Sequence, residues 1–122
     1  MPKILVIDDE ESIRKYFHKL LARLECEVIS AGDSDHGLEL AGDPDVRLII
    51  TDYYLPGSVQ KSDLVRALRE LRPELPVMVI TGYADMDTIS ECEQLGVQDV
   101  LTKPFELSFV LKVVEKVLGE SA

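Results

Sequence analysis

The stretch Leu48-Ile49-Ile50-Thr51-Asp52-Tyr53-Tyr54-Leu55-Pro56-Gly57 decides how this chain folds. Its first half is apolar at consecutive rather than alternate positions, the mark of a strand covered on both faces. The run ends in a carboxylate, so a buried strand delivers Asp52 to the rim of a sheet. Three other stretches repeat the pattern. Ile4-Leu5-Val6-Ile7 ends in Asp8 and Asp9, Val77-Met78-Val79-Ile80 ends in Thr81, and Val100-Leu101-Thr102 ends in Lys103. In an open α/β sheet, the carboxyl edge of the strands is where ligands bind.

Helical stretches fill the spaces between these runs. From Glu11 to Leu24, the residues Ile13, Tyr16, Phe17, Leu20, Leu21 and Leu24 form a single apolar stripe. Glu25 to Ala31 reads as a second strand, and Asp33 or Ser34 can cap a short helix ending near Ala41. After the turn Gly42-Asp43-Pro44-Asp45 comes the strand from Val46 to Thr51. A third helix opens at Ser62 or Asp63 and ends near Arg72, before Pro73. Pro76 to Thr81 is a strand, Asp85 to Leu95 a helix closed by Gly96, and Gln98 to Thr102 the fifth strand. A last helix runs from Glu106 to Leu118, closed by Gly119. Five strands alternating with helices predict an α/β fold: a doubly wound parallel sheet with right-handed crossovers and helices on both faces. The length of 122 residues implies one domain, spanning 1–122, with no repeats, no low-complexity segment and no second domain expected.

The net charge of −10 argues against nucleic acid as a direct partner and fits a partner with a basic face, or a bound cation. Cys26 and Cys92 have no motif spacing and read as packed thiols, which suits a reducing compartment. No signal peptide and no apolar run of membrane-spanning length is visible, so a soluble cytoplasmic domain with no membrane partner is expected. His18 and His36 lack metal-ligand partners, and Arg66, Arg69 and Arg72 read as a solvated face of the third helix. The fourth helix is polar apart from Met86, Ile89, Cys92 and Leu95, so it reads as weakly anchored. In the last helix, Leu107, Val110, Leu111, Val114 and Leu118 form a core stripe that Phe109, Val113 and Val117 widen. The wider arc is either a broad core contact or a surface for a partner or homodimer.

Asp8, Asp9 and Asp52 meet at one sheet edge. Carboxylates so close repel one another unless a cation lies between them. Oxygen-only ligands select a hard divalent ion, Mg²⁺ in a cell. Together with the Lys103 ammonium, such an ion leaves the site near neutral and able to accept a phosphoryl group. A carboxylate can attack phosphorus and form an acyl phosphate, chemistry that depends on positioning and charge neutralisation. Lys103 would neutralise phosphoryl oxygen, the Thr81 hydroxyl could donate to another oxygen, and Gly82 would leave its backbone N–H accessible. Each residue also has a plainer reading: Asp8-Asp9-Glu10 as a helix cap and dipole pair, Thr81 as a hydroxyl bonded to backbone, and Lys103 as a solvated lysine.

Four fragments in this order, each at a strand end, resemble the receiver domain of two-component response regulators. They are Ile4-Leu5-Val6-Ile7-Asp8-Asp9-Glu10, Thr51-Asp52-Tyr53-Tyr54-Leu55-Pro56-Gly57, Val79-Ile80-Thr81-Gly82 and Leu101-Thr102-Lys103-Pro104-Phe105. The resemblance covers essentially the whole chain and implies a flavodoxin-like sheet of order 2-1-3-4-5. It implies that Asp52 is the phosphoacceptor, that Asp9 binds Mg²⁺ directly and Asp8 largely through water, and that the Tyr54 backbone carbonyl is a further ligand. Lys103 would pair with the phosphoryl group, Thr81 would move toward it as a switch, and Lys103-Pro104 would be a cis peptide. The implied partners are a histidine kinase or histidine phosphotransfer protein, and a downstream effector domain or protein. Such a domain catalyses only its own phosphorylation and dephosphorylation.

The chain departs from the family pattern at three places. The Gly usual a few residues after Pro56 is missing, and the segment from Pro56 to Asp63 looks about one residue longer, so this loop reads as irregular or mobile. Val100 stands where an aromatic switch residue is common. Tyr54 and Tyr83 occupy the positions that tune access of hydrolytic water, and two rings there would shield the acyl phosphate. Two rival readings stand beside the switch. A phosphohydrolase with an aspartyl nucleophile usually needs a second acid where Tyr54 lies. A phosphorylation-independent docking module with the same fold is the other. A nucleotide-binding fold is disfavoured, because no Gly-rich loop follows the first strand.

Overall fold

The unbroken apolar run of the central strand is explained by helices packed on both sides of it. In the computed structural model, which describes residues 1–120, β3 (Val46–Asp52) is the middle of five parallel strands. β1 (Lys3–Ile7) and then β2 (Glu27–Ala31) lie on one side, and β4 (Val77–Thr81) and β5 (Asp99–Thr102) on the other. The order is β2-β1-β3-β4-β5, the flavodoxin-like arrangement expected. The crossovers are α1 (Glu11–Leu21), α2 (Ser34–Ala41), α3 (Lys61–Leu71), α4 (Met86–Gln94) and α5 (Leu107–Glu120). The strand order reverses between β1 and β3, which makes the crevice at their carboxyl ends the natural site of the fold. Register sets those ends level, pairing Ile7 with Thr51, Asp52 with Ile80, and Thr81 with Thr102.

Successive strand residues point to opposite faces, and each face has its own core. Leu5, Ile7, Ile49, Val77 and Val79 pack with Ala41, Leu64, Leu68 and Cys92 under α2, α3 and α4. Ile4, Val6, Leu48, Ile50, Met78 and Ile80 pack with Phe17, Leu21, Val110 and Val114 under α1 and α5. Burying each of the Val, Leu, Ile, Phe and Met side chains among these contributes about 1.5–3 kcal/mol. The fit is tight where α2 crosses β1: a Cβ at Gly37 would stand 2.6 Å from Ile7 Cδ1. Both cysteines are free and buried, as packed thiols should be.

Several boundaries differ from those read in the sequence. α1 stops at Leu21 rather than Leu24, because the Leu24 N–H turns back to the Leu21 carbonyl at 3.0 Å and the chain bends toward β2. Its stripe centres on Phe17 and Leu21, and Tyr16 is 43% exposed rather than part of it. α5 continues through Gly119 to Glu120, so that glycine does not close it. Gly96, with φ of +76°, does lie where α4 ends. In α5, Val113 and Val117 are buried in the core, and only Phe109 of the wider arc is exposed. The broad-core reading of that helix therefore holds for the two valines.

The arginines of α3 are not a solvated row. Only Arg66 is exposed, paired with Asp63 at 3.2 Å. Arg72 donates to the carbonyls of Ala41 at 3.1 Å and Asp43 at 2.7 Å, and Arg69 donates to Leu95 at 3.2 Å. The Ala41 and Leu95 carbonyls lie at the ends of α2 and α4, where carbonyls left over by the helix attract cationic donors, and the Asp43 carbonyl belongs to the turn that follows α2. Among the described residues, no helix is long and apolar enough to cross a membrane.

Candidate functional site

Each acidic residue reaches the site because its strand stops there. Asp8 is the first residue beyond β1, and Asp52 is the last of β3. Each offers a carboxylate oxygen, as does Asp9, and the three oxygens lie within 4.8 Å of one another, so this group could hold a metal ion. Asp8 and Asp52 are buried and Asp9 is exposed, which leaves the cluster open to solvent on one side. Lys103 arrives from beyond β5. Its backbone N–H donates to the Thr81 carbonyl at 2.7 Å, extending the β4–β5 ladder by one residue. Its ammonium donates to Asp8 Oδ2 and Asp52 Oδ2, both at 2.9 Å, and stands 3.8 Å from Glu10 Oε2. The Lys103-Pro104 bond is cis, as the family resemblance implies.

Backbone donors orient the carboxylates. The Glu10 N–H donates to Asp8 Oδ1 at 2.9 Å, and the Tyr54 N–H donates to Asp52 Oδ1 at 3.1 Å. Arg14 donates to the Asp8 carbonyl at 2.7 Å and so fixes the turn between β1 and α1. Burial pushes the Asp8 carboxyl up from its ordinary value, opposed by the Glu10 N–H and by Lys103. Burial works to lower Lys103, but the Asp52 and Asp8 carboxylates outweigh it and hold the ammonium above its ordinary value. The lysine is therefore a fixed positive charge at physiological pH.

The other predicted residues lie around this cluster in different postures. Thr81 is buried, and its hydroxyl donates to the Tyr83 carbonyl at 3.1 Å and accepts from the Tyr83 N–H at 3.2 Å, so it is engaged by the segment after β4. Gly82 is exposed, with nothing within 4 Å of where a Cβ would stand. The Tyr54 ring is 40% exposed and the Tyr83 ring 64%. Tyr54 packs edge-on against Tyr53, with centroids 5.2 Å apart, and Lys61 Nζ stands 5.6 Å from its centroid. Val100 packs half-buried against the α2–α4 side of the core. A cleft of about 290 Å³, lined by Asp9, Tyr54, Leu55, Pro56, Gln60 and Lys61, opens beside the acids. A larger hollow of about 540 Å³, lined by Met1, Pro2 and Leu24 among others, includes none of the site residues.

The loop after Asp52 is tied down. The Ser34 N–H donates to the Pro56 carbonyl at 3.0 Å, and Asp35 Oδ2 accepts from the Ser58 N–H at 3.0 Å and its hydroxyl at 3.1 Å. Gly57, at φ +127°, lets the chain pass close against Ser34. The chain then needs a left-handed residue to enter α3, and Lys61 takes that conformation at φ +54°. Two relationships escaped the sequence reading. Glu10 lies near Lys103, though it stood within the quoted acidic run. Tyr53 donates to Glu91 at 2.8 Å across 38 positions, with no local signal in the sequence.

Comparison with known proteins agrees with this geometry. The family model of the response regulator receiver domain matches residues 4–115. Among curated relatives, the response regulator protein PilR of Pseudomonas aeruginosa is 33% identical over 116 residues, 95% of this chain and 26% of PilR. The chemotaxis protein CheY of the same organism is 32% identical over 118 residues, 94% of each chain. The DNA-binding transcriptional regulator NtrC of Azospirillum brasilense is 32% identical over 97% of this chain and 24% of its own length. The chain thus spans about a quarter of the length of PilR and NtrC. A receiver domain structure from Clostridium thermocellum superposes with a TM-score of 0.87 at 27% identity, covering 99% of this chain and 97% of that one. A receiver domain structure of NtrX from Brucella abortus does so with a TM-score of 0.83 at 32% identity, over 95% of this chain and 98% of that one. With its strand-end residues, sheet order and relatives in agreement, the chain belongs to the response regulator receiver domain family of two-component signalling.

Proposed function

We propose that this domain is a phosphorylation-dependent switch of a two-component phosphorelay, with Asp52 as its phosphoacceptor. The reading rests on one observation: Lys103 Nζ bridges Asp8 and Asp52 at 2.9 Å each, beside an acidic group that Asp9 completes. An Asp52 oxygen attacks the phosphorus of a phosphohistidine on a histidine kinase or histidine phosphotransfer protein. A P–O bond forms as the P–N bond breaks. The imidazole, protonated by water at its other ring nitrogen, leaves neutral, and Asp52 carries an acyl phosphate. Lys103 keeps its charge and pairs with a phosphoryl oxygen. The Thr81 hydroxyl, turned from Tyr83, and the Gly82 N–H donate to the others.

The donor set fits Mg²⁺, because three carboxylate oxygens within 4.8 Å, with no nitrogen or sulfur ligand, suit a hard cation. Asp9 and Asp52 would bind it directly, Asp8 largely through water, and the Tyr54 carbonyl would complete the protein ligands. Bound there, Mg²⁺ supplies positive charge that lets a phosphoryl group approach a carboxylate. Tyr54 and Tyr83 limit the water that hydrolyses the acyl phosphate, and Val100 leaves the usual aromatic switch out of the response. The domain catalyses its own phosphorylation and dephosphorylation and turns over no metabolite. Its output partner is an effector domain or protein, its setting the cytoplasm, and a homodimer through α5 would use Phe109, 40% exposed.

The test is incubation with acetyl phosphate and Mg²⁺, followed by intact mass measurement. A stable gain of one phosphoryl group, absent in Asp52→Ala, is expected. Continuous phosphate release would indicate a phosphohydrolase, and an unmodified mass a docking module.

A further inference from the structure

Tyr53 is the residue next to Asp52, and it is tied to two other elements. Its N–H donates to the Ile80 carbonyl of β4 at 3.3 Å. Its ring is only 3% exposed and packs in the core cluster that holds Leu64, Val65 and Leu68 of α3 and Cys92 of α4. Its hydroxyl donates to Glu91 Oε2 of α4 at 2.8 Å. Ser62, in the first turn of α3, and Cys92 of α4 also interact electrostatically with this hydroxyl. A bond from a largely buried phenol to a carboxylate is charge-assisted and stronger than a neutral one. Within α4 the buried residues are Thr88 and Cys92, and at its end Arg69 of α3 holds the Leu95 carbonyl, so its side-chain ties to the rest of the domain are few.

The same helix follows the segment that must move. The Thr81 hydroxyl is bonded to Tyr83, and α4 begins at Met86, three residues further on. Turning the Thr81 hydroxyl toward a phosphoryl group on Asp52 gives up its two bonds to Tyr83 and so frees the segment that leads into α4. We propose that the Tyr53–Glu91 hydrogen bond is a latch: it holds α4 in the position seen here and thereby opposes phosphorylation of Asp52. Tyr53 and Glu91 act as positioning residues, with no contact to the phosphoryl group. The proposal rests on the phosphoacceptor reading above. A contact made in one of two arrangements favours that arrangement, and by linkage it weakens any ligand that favours the other.

The test is titration of beryllium trifluoride, a phosphoryl analogue, with Mg²⁺ into the unaltered protein, Tyr53→Phe, Glu91→Ala and the double variant. Tyr53→Phe keeps the ring, and Glu91→Ala changes an exposed side chain, so the two reach the bond from opposite ends. The latch predicts analogue binding about tenfold tighter in each single variant, with no further gain in the double variant. A merely structural role would weaken binding instead. Unchanged or weaker binding in both single variants overturns the latch and leaves the phosphoacceptor reading standing. No analogue binding by the unaltered protein overturns both.

Discussion

Lys103 Nζ stands 2.9 Å from Asp52 Oδ2, joining the segment beyond β5 to the end of β3 across the mouth of the site. The same ammonium holds Asp8 at 2.9 Å, so one cation lies between two buried carboxylates. Removing it leaves both charges uncompensated. Lys103→Ala should therefore lower stability by about 3 kcal/mol in the absence of divalent metal. Mg²⁺ should restore part of the loss, because a second cation then sits among the same oxygens. Urea unfolding with and without MgCl₂ checks this. A loss that Mg²⁺ does not reduce would contradict the shared site.

The buried thiols predict how the fold responds to alkali. Burial pushes the Cys92 thiol up to about 11, from an ordinary value near 9.0. The unfolded chain releases this proton first as pH rises, so stability is complete below pH 9 and falls between about 9 and 11. Cys26, raised by burial, acts in the same sense. The Cys92 contribution is on the order of 2 kcal/mol. Chemical denaturation across this range should show a shallower decline in Cys92→Ala than in the unaltered protein. Equal slopes would sink the assignment.

Lys61 occupies a left-handed conformation, φ +54°, within the segment from Pro56 to Asp63 that lacks the family's usual glycine. A side chain there costs about 1 kcal/mol. Lys61→Gly should stabilise the domain by about 0.5–1 kcal/mol, and the β-branched Lys61→Val should destabilise it by a similar amount. Thermal unfolding of the two variants gives the signs directly, and a destabilised glycine variant would refute the strain.

Tyr54 packs against Tyr53 and lies under Lys61, whereas the Tyr83 ring is 64% exposed. The acyl phosphate should hydrolyse faster in the Tyr54→Ala, Tyr83→Ala double variant, with most of the change already present in Tyr54→Ala. Loss of label from phosphorylated protein over time measures both lifetimes. A double variant with an unaltered lifetime rules the shield out.

The legible parts of this protein are those whose signals are local. Consecutive apolar residues ending in Asp8, Asp52, Thr81 and Lys103 reveal strands and their polar edge at once, because a doubly covered strand imposes that composition. Structure adds what depends on distant partners. The α3 arginines look solvated until the carbonyl ends of α2 and α4 are seen beside Arg72 and Arg69. Val113 and Val117 look surplus to the α5 stripe until the sheet beneath proves broad enough to cover them. Tyr53 and Glu91 carry no shared pattern at all, since only the α3–α4 packing brings them together. Gly119 fails as a stop signal because a glycine in a last helical turn costs only about 1 kcal/mol.

Reduction by sodium borohydride tests the central claim most directly, because it converts an aspartyl phosphate to homoserine and so marks the acceptor. After treatment with acetyl phosphate and Mg²⁺, reduction and peptide mass mapping, homoserine should be found at position 52 and nowhere else. Homoserine at position 8 or 9, or at no position, would contradict the account.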